Sequence, residues 1–218
     1  MEPLTLYTYC KSSAAYRVRI ALNLKGLSYE SVYISLIKDG GENYRPEYRA
    51  VNPQAMVPTL QAGQETFTQS TAIVEFLEQQ YPQPPLLPKD PAASAYARSY
   101  AQMIACDIHP LNNTRVLGYL ADKLNVDETA KLQWYRHWIY EGFDAIEQKL
   151  ANSQLTGRFC MGDTPTIADV FLVPQVYNAK RYECNLGDYP HINRINDSCL
   201  ELDEFHQAAP EQQADYSP

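Results

Sequence analysis

Residues 9–26 read YCKSSAAYRVRIALNLKG and follow a β-prone apolar run, Leu4 to Tyr9. Ser12 and Ser13 are typical helix-capping residues, the apolar residues after them recur at helical spacing, and Gly26 fits the position just past a helix end. The pattern therefore predicts a strand, a short loop and a helix. The loop directs hydroxyls and first-turn backbone amides at one point, which favours the binding of an anion.

Length and composition are those of an ordinary globular protein: 218 residues, 45% hydrophobic and 20% charged. This length suffices for one large domain or two modest ones. No apolar run approaches the roughly 20 residues that span a bilayer, and the N-terminus lacks a signal-peptide pattern, so we expect a cytoplasmic protein without membrane association. The net charge of −8 argues against nucleic acid as a partner, because phosphate binding needs a basic face.

The five cysteines are an odd number, widely spaced, and form no C-x-x-C pair. This pattern indicates neither a disulfide framework nor a zinc site, and we expect reduced thiols. Cys10 lies near the position where thioredoxin-like redox proteins place their first cysteine, but Ser13 stands at the partner position. We favour a buried structural thiol at Cys10 over a glutaredoxin-like thiol reductase acting through it.

Residues 1–83 are predicted to form a β-α-β-β-β-α unit. Its strands are expected at Leu4–Tyr9, at Tyr29–Ile34 and as a hairpin within residues 56–67. A cis Val57-Pro58 bond is expected at the start of that hairpin, because Pro58 cannot donate to a strand ladder.

The remainder of the chain shows helical patterns and no strand alternation. The proline-rich residues 84–91 predict a linker, and residues 92–218 predict an all-helical domain. Thr166 begins a capping-box signature ahead of a buried helix, and Pro174 inside that helix predicts a kink or a break. The residues from Ala208 onward are expected to be a frayed tail.

The stretch SSAAYRVRIAL at residues 12–22 resembles the signature SSCxWRVRIAL of the zeta class of glutathione transferases, the family of maleylacetoacetate and maleylpyruvate isomerases. The resemblance continues along nearly the whole chain, in the motifs Asn52-Pro53, Val57-Pro58, Gln69-Ser70, Leu86-Leu87-Pro88, Asp107 to Asn113, Gly162-Asp163, Ala168-Asp169, Leu172 to Val176 and Tyr189-Pro190. It implies an α+β N-terminal thioredoxin-like domain that binds glutathione, followed by an all-α C-terminal domain that binds substrate.

The resemblance also implies an activity: glutathione-dependent cis–trans isomerisation of maleylacetoacetate or maleylpyruvate to the fumaryl product, in tyrosine, phenylalanine or other aromatic catabolism. Glutathione is the implied cofactor, a dicarboxylate the implied substrate, and a homodimer the implied assembly, with no metal. Ala14 stands where the family usually has cysteine, and Tyr16 where tryptophan is common. Two alternatives therefore stay open: a glutathione S-transferase acting on small electrophiles such as α-halo acids, and a glutathione-binding scaffold without catalysis.

The resemblance assigns roles to particular residues. The catalytic candidates are Ser12, which would face the glutathione sulfur, and Ser13; the alternative for both is plain helix capping. Further glutathione contacts are expected at Asn43, Val57, Gln69, Ser70, Asp107, His109 and Asn113. Cationic groups for the substrate carboxylates are expected at Lys11, Arg115 and Arg181, although such residues are more often solvated surface charges.

Overall fold

The computed structural model of the protein describes residues 3–217. Residues 1 and 2, at the start of the first predicted domain, and residue 218, at the end of the second, lie outside the described part. The chain forms two compact units, one made of Met1–Leu86 with Glu201–Pro218 and the other of Leu87–Leu200. Within residues 3–217, no helix combines the length and the apolar character needed to cross a bilayer.

The first unit has the predicted order of strands and helices, and a short helix lies in the polar segment before the hairpin. Its elements are β1 (Leu4–Thr8), α1 (Ser13–Leu24), β2 (Glu30–Tyr33), α2 (Pro46–Val51), β3 (Thr59–Ala62), β4 (Glu65–Thr68) and α3 (Ser70–Gln80). The sheet order is β2-β1-β3-β4, with β1 parallel to β2 and antiparallel to β3, and β3 antiparallel to β4. This arrangement confirms the predicted thioredoxin-like α+β architecture.

Local sequence signals determine where α1 begins and ends. Ser12 is its N-cap, and Gly26 follows its C-terminus with a φ of +64°, a conformation that glycine adopts without strain. Ile20 and Leu22 are fully buried, so the helix is anchored in the core of the unit. The Val57-Pro58 peptide bond is cis, as predicted.

The second unit is built from helices, which confirms the predicted all-α domain. Its helices are α4 (Pro91–Gln102), α5 (Thr114–Asp122), α6 (Glu128–Asn152), α7 (Ile167–Arg181) and α8 (Pro190–Leu200), with a π-helical segment at Met103–Ile108 and a 3-10 segment at His109–Asn112. The capping box at Thr166 and Asp169 forms as predicted. Helix α7 is nearly all buried and continues past Pro174, so the proline does not break it.

The C-terminal residues differ from the prediction, which placed residues 201–218 in the helical domain and expected a frayed tail from Ala208 onward. Residues 201–217 belong to the first unit, where α9 (Asp203–Ala208) packs against α1. Phe205 and Ala208 are fully buried, and the Ala208 carbonyl accepts a hydrogen bond from Arg19 Nε at 2.9 Å. Apolar burial and this hydrogen bond to a charged donor explain why the segment is ordered.

Candidate active site

Ser12 caps the first helix through its side chain. Its Oγ accepts a hydrogen bond from the Ala15 N–H at 3.2 Å, and its backbone N–H donates to the Tyr9 carbonyl at 3.0 Å. Ser13 begins α1 and is buried. A hydroxyl oxygen that accepts one hydrogen bond still has its own hydrogen to donate. Capping and donation to a bound anion are therefore compatible roles for Ser12.

The loop before Ser12 is held by residues from elsewhere in the first unit. Arg19 donates to two loop carbonyls, from Nη1 to Tyr9 O at 3.3 Å and from Nη2 to Cys10 O at 3.0 Å. The Asp215 carboxylate accepts the Cys10 N–H at 2.9 Å. Sequence reasoning missed Asp215, because it lies in the segment predicted to be frayed.

Lys11, a predicted substrate-binding cation, is half-buried beside this C-terminal segment. Its Nζ lies 5.2 Å from the centre of the Tyr216 ring, within the range of a cation–π interaction. The ring restricts where the ammonium group can go, so Tyr216 is a second residue of the C-terminal segment that shapes this region.

Cys10 has the properties of a structural thiol. It is 1% exposed, and its Sγ donates to the Asp215 carbonyl at 3.5 Å. Burial raises the pKa of the Cys10 thiol, and the negative charge of Asp215 raises it further. A thiol kept protonated is a poor nucleophile, which argues against the glutaredoxin-like alternative.

Two buried residues before β3, Asn43 and Val57, carry polar groups that a ligand could contact. Asn43 is 5% exposed; its Nδ2 donates to the Ala55 carbonyl at 2.8 Å, whereas its Oδ1 has no hydrogen-bond partner among residues 3–217. Val57 is also buried, and its backbone N–H and C=O bond to nothing in the same described range. Because buried polar groups are nearly always paired, these two positions are suited to contact a ligand.

The N-terminus of α3 carries the predicted pair Gln69 and Ser70. Gln69 has a φ of +70° and makes no side-chain cap, and its Nε2 donates to Gln54 Oε1 at 2.8 Å. Ser70 is buried, and its Oγ accepts a hydrogen bond from Arg17 Nη1 at 3.2 Å. Sequence reasoning did not assign Arg17 a role. Its position among the apolar residues of a buried helix is the signal that could have identified Arg17 as a functional residue.

In the second unit, the predicted glutathione contacts lie around a non-standard helix. Asp107 is exposed within the π-helical segment, and His109 is half-buried directly after it. Asn113 caps α5, with its Oδ1 accepting the Arg115 N–H at 3.1 Å. Short π-helical segments are frequent at functional sites, which is consistent with the prediction for this region.

The substrate-binding candidates are divided between the units. Lys11 lies in the first unit, whereas Arg115 and Arg181 lie in the second, both exposed. The Arg181 guanidinium lies 5.6 Å from the centre of the Tyr182 ring, at the C-terminus of α7.

Comparison with known proteins places this site in a family. Residues 6–85 match the sequence profile of the glutathione S-transferase N-terminal domain. The chain is 46% identical over 215 residues, 99% of each chain, to the probable maleylacetoacetate isomerase of Vibrio cholerae. This chain belongs to the maleylacetoacetate isomerase family.

Two solved structures of zeta-class and isomerase proteins are similar to this family member. One is a holo maleylpyruvate isomerase, a bacterial zeta-class glutathione S-transferase, with a TM-score of 0.95 and 45% identity over 98% of this chain and 100% of that one. The other is the maleylacetoacetate isomerase of Methylobacterium extorquens with bound malonate and glutathione, with a TM-score of 0.94 and 39% identity over 98% and 100%. The thioredoxin-like glutathione transferase fold is thus established for this member of the maleylacetoacetate isomerase family.

The first unit of this maleylacetoacetate isomerase relative is chemically suited to glutathione. Asn43 offers a buried acceptor without a partner among residues 3–217, Val57 offers both backbone groups, and Ser70 offers a hydroxyl at a helix N-terminus. Tyr16 stands where tryptophan is common in the zeta-class signature. It is buried, and its hydroxyl donates to the Phe205 carbonyl at 3.4 Å. The tyrosine therefore ties α1 to α9.

Proposed function

We propose that the protein is a glutathione-dependent cis–trans isomerase that converts maleylacetoacetate or maleylpyruvate to the corresponding fumaryl acid. The observation that carries the proposal is the position of Ser12 at the N-terminus of α1, in a chain of the maleylacetoacetate isomerase family. Glutathione is bound in the Methylobacterium extorquens relative. The dicarboxylate malonate is bound there too, in keeping with a substrate that carries two acid groups.

Ser12 is proposed to stabilise the thiolate of glutathione. A cysteine-type thiol with a pKa near 8.5 is only about 3% ionised at pH 7. Lowering that pKa by roughly two units makes the thiolate dominant and corresponds to about 2.7 kcal/mol of preferential stabilisation. The Ser12 hydroxyl can donate to the sulfur, and the first-turn amides of α1 add the positive end of the helix dipole. Ser13 is proposed to share this task.

The ends of glutathione are proposed to bind at the other predicted positions of the first unit. Gln69 and Ser70, at the N-terminus of α3, would hold the γ-glutamyl carboxylate. The backbone of Val57 would pair with the cysteinyl unit in the manner of a strand, and the orphaned Asn43 oxygen would accept a donor of the peptide. Asp107, His109 and Asn113 are proposed as further contacts from the second unit.

The cations Lys11, Arg115 and Arg181 are proposed to bind the substrate. A substrate with two carboxylates needs positive charge at each, and arginine can contact a carboxylate through two parallel hydrogen bonds. The same cations would stabilise the negative charge that develops on the carbonyl oxygen next to the reacting double bond.

Glutathione, when bound, supplies the thiolate that adds to the cis double bond and departs after rotation about the resulting single bond. The residues of the chain then have three tasks: Ser12 stabilises the thiolate, the cations stabilise the enolate-like charge, and the polar contacts keep sulfur and carbon aligned.

The roles of the units, the assembly and the location are also proposals. The first unit would bind glutathione and the helical unit the substrate. A homodimer is proposed from the family resemblance, and sedimentation at monomer mass would remove it. A cytoplasmic location is proposed because all five cysteines, each within the described residues, are free thiols.

The test is the ultraviolet decay of freshly generated maleylacetoacetate and of maleylpyruvate, each with and without glutathione. Glutathione-dependent formation of the fumaryl acid supports the proposal, and the ratio of the two rates identifies the preferred substrate. Binding of glutathione without conversion of either acid contradicts it. Conversion of an α-halo acid instead would indicate a conjugating transferase.

A further inference from the structure

Arg17 lies on α1, five residues beyond Ser12, and its side chain is 1% exposed. Arginine is almost never fully buried unless its charge is met by other groups, so burial at this position needs a reason. One contact is informative: Nη1 donates to Ser70 Oγ at 3.2 Å. Helix α1 therefore delivers a guanidinium to the first residue of α3.

This contact has a consequence for the Ser70 hydroxyl. Because the oxygen accepts from Arg17, the hydroxyl hydrogen points elsewhere and is available to an acceptor. The first-turn amides of α3 lie at the same helix end, and Gln69 makes no side-chain cap to them. A cation, an oriented hydroxyl and the first-turn amides of a helix together favour a carboxylate.

We propose that Arg17 is a positioning residue for the γ-glutamyl carboxylate of glutathione. It acts through Ser70, by fixing the direction in which the hydroxyl donates. The inference rests on the proposed use of glutathione and names the part of the ligand that Arg17 recognises.

Arg19, two residues further along α1, provides a natural comparison. It too is fully buried, and it donates to four oxygens: Thr8 Oγ1 and the carbonyls of Tyr9, Cys10 and Ala208. Its contacts join α1 to β1, to the loop before Ser12 and to α9. The two arginines of the Arg-Val-Arg sequence thus have separate roles, one in ligand positioning and one in holding the fold.

The test compares two ligands by titration calorimetry: glutathione, and γ-aminobutyryl-cysteinyl-glycine, which lacks only the γ-glutamyl carboxylate. In Arg17→Lys we expect glutathione affinity to fall roughly tenfold or more, as for loss of a charge-assisted hydrogen bond, and analogue affinity to change by less than about twofold. Ser70→Ala should show the same selectivity, and the double variant should lose less than the sum of the two, because the residues act on one group.

Arg19→Lys is the matched control, since it replaces a buried arginine on the same helix. It should lower the thermal midpoint while leaving the ratio of the two dissociation constants at the wild-type value. For Arg17→Lys, the KM for glutathione should rise while kcat at saturating glutathione changes by less than about threefold.

An equal loss for both ligands in Arg17→Lys, or no loss for either, overturns the inference. If Arg17→Lys does not fold, nuclear magnetic resonance of the wild type decides: the guanidinium signals of Arg17 should shift with glutathione and not with the analogue, and identical responses overturn the proposal. A wild type that binds no glutathione, or binds it without isomerising either acid, contradicts the proposed function instead, so the two failures are distinguishable.

Discussion

Replacing Gly142 with alanine tests how the π-helical segment is held against α6. An ideal Cβ on Gly142 would lie 2.2 Å from Cδ1 and 2.4 Å from Cγ1 of Ile108, whereas ordinary carbon contacts are about 3.5–4.0 Å. Ile108 is 1% exposed and therefore lacks free space into which to withdraw. Either its side chain leaves its rotamer or the segment Met103–Ile108 moves by about an ångström or more.

The expected magnitude follows from two opposing effects. Overpacking of this kind costs about 1–3 kcal/mol, and replacing a helical glycine with alanine returns up to about 1 kcal/mol of helix propensity. Gly118 on α5 is the matched control, because no atom of the described residues lies within 4 Å of its ideal Cβ. Gly118→Ala should therefore raise the free energy of unfolding by up to about 1 kcal/mol. The free energies of unfolding of the two variants should then differ by roughly 1–3 kcal/mol, with Gly142→Ala the less stable.

Denaturant unfolding measures this difference, and steady-state kinetics measures its effect on ligand binding. Because Asp107 lies in the displaced segment, the KM for glutathione should rise severalfold in Gly142→Ala and stay at the wild-type value in Gly118→Ala. Equal or greater stability of Gly142→Ala relative to Gly118→Ala would refute the packing argument.

Substitutions at three further positions test other parts of the structure. Asp169→Ala should lower the free energy of unfolding by roughly 3 kcal/mol, because the carboxylate accepts two buried backbone N–H groups at 2.8 Å each. Burial raises the pKa of Asp169 in the native state above its value in the unfolded chain. Between these two pKa values the native state binds more protons than the unfolded chain. The free energy of unfolding of the wild type, relative to that of Asp169→Asn, should therefore fall as pH rises through this range. Asp215→Asn should lower the pKa of the Cys10 thiol, read from its Cβ chemical shift across pH, because a negative charge that raises this pKa is removed. Glu78→Gln should cost about 3 kcal/mol in chemical unfolding, because the Lys25 side chain is fully buried and loses its ionic partner.

Each of these has a contradicting result. A loss below about 1 kcal/mol in Asp169→Ala would mean that other groups satisfy the exposed donors. A stability difference between wild type and Asp169→Asn that is flat with pH, or an unchanged Cys10 titration in Asp215→Asn, would remove the electrostatic account. The control for Glu78→Gln is Glu47→Gln, on the exposed face of α2. An equal loss in the free energy of unfolding for both variants would show that the buried ion pair does not add to stability.

The predictions that succeeded concern residues whose chemistry acts locally. The cap at Ser12, the left-handed Gly26, the cis Val57-Pro58 bond and the capping box at Thr166 each depend on a few neighbouring residues, so a local pattern specifies them. Apolar periodicity also predicted the order of strands and helices along the first unit and the all-helical second unit.

The failures concern contacts between residues far apart in the chain. Phe205 carries no local signal that it will be buried in the first unit, and the polar residues after it suggested a solvated tail. Asp215 meets Cys10 across 205 positions, and Arg17 meets Ser70 across 53, so a single sequence without a fold cannot join them. The roles of Lys11, Arg115 and Arg181 came from the family resemblance, since an isolated cation has no pattern that separates it from surface charge.

The pKa of the glutathione thiol bound to the protein tests the central claim most directly. The ultraviolet absorbance of the thiolate is followed across pH in the wild type and in Ser12→Ala, alongside the rate of isomerisation. We predict that the bound thiol of the wild type titrates roughly two units below free glutathione, and that Ser12→Ala shifts it back toward the free value and slows isomerisation in parallel. The same pKa and the same rate in both proteins would contradict the account.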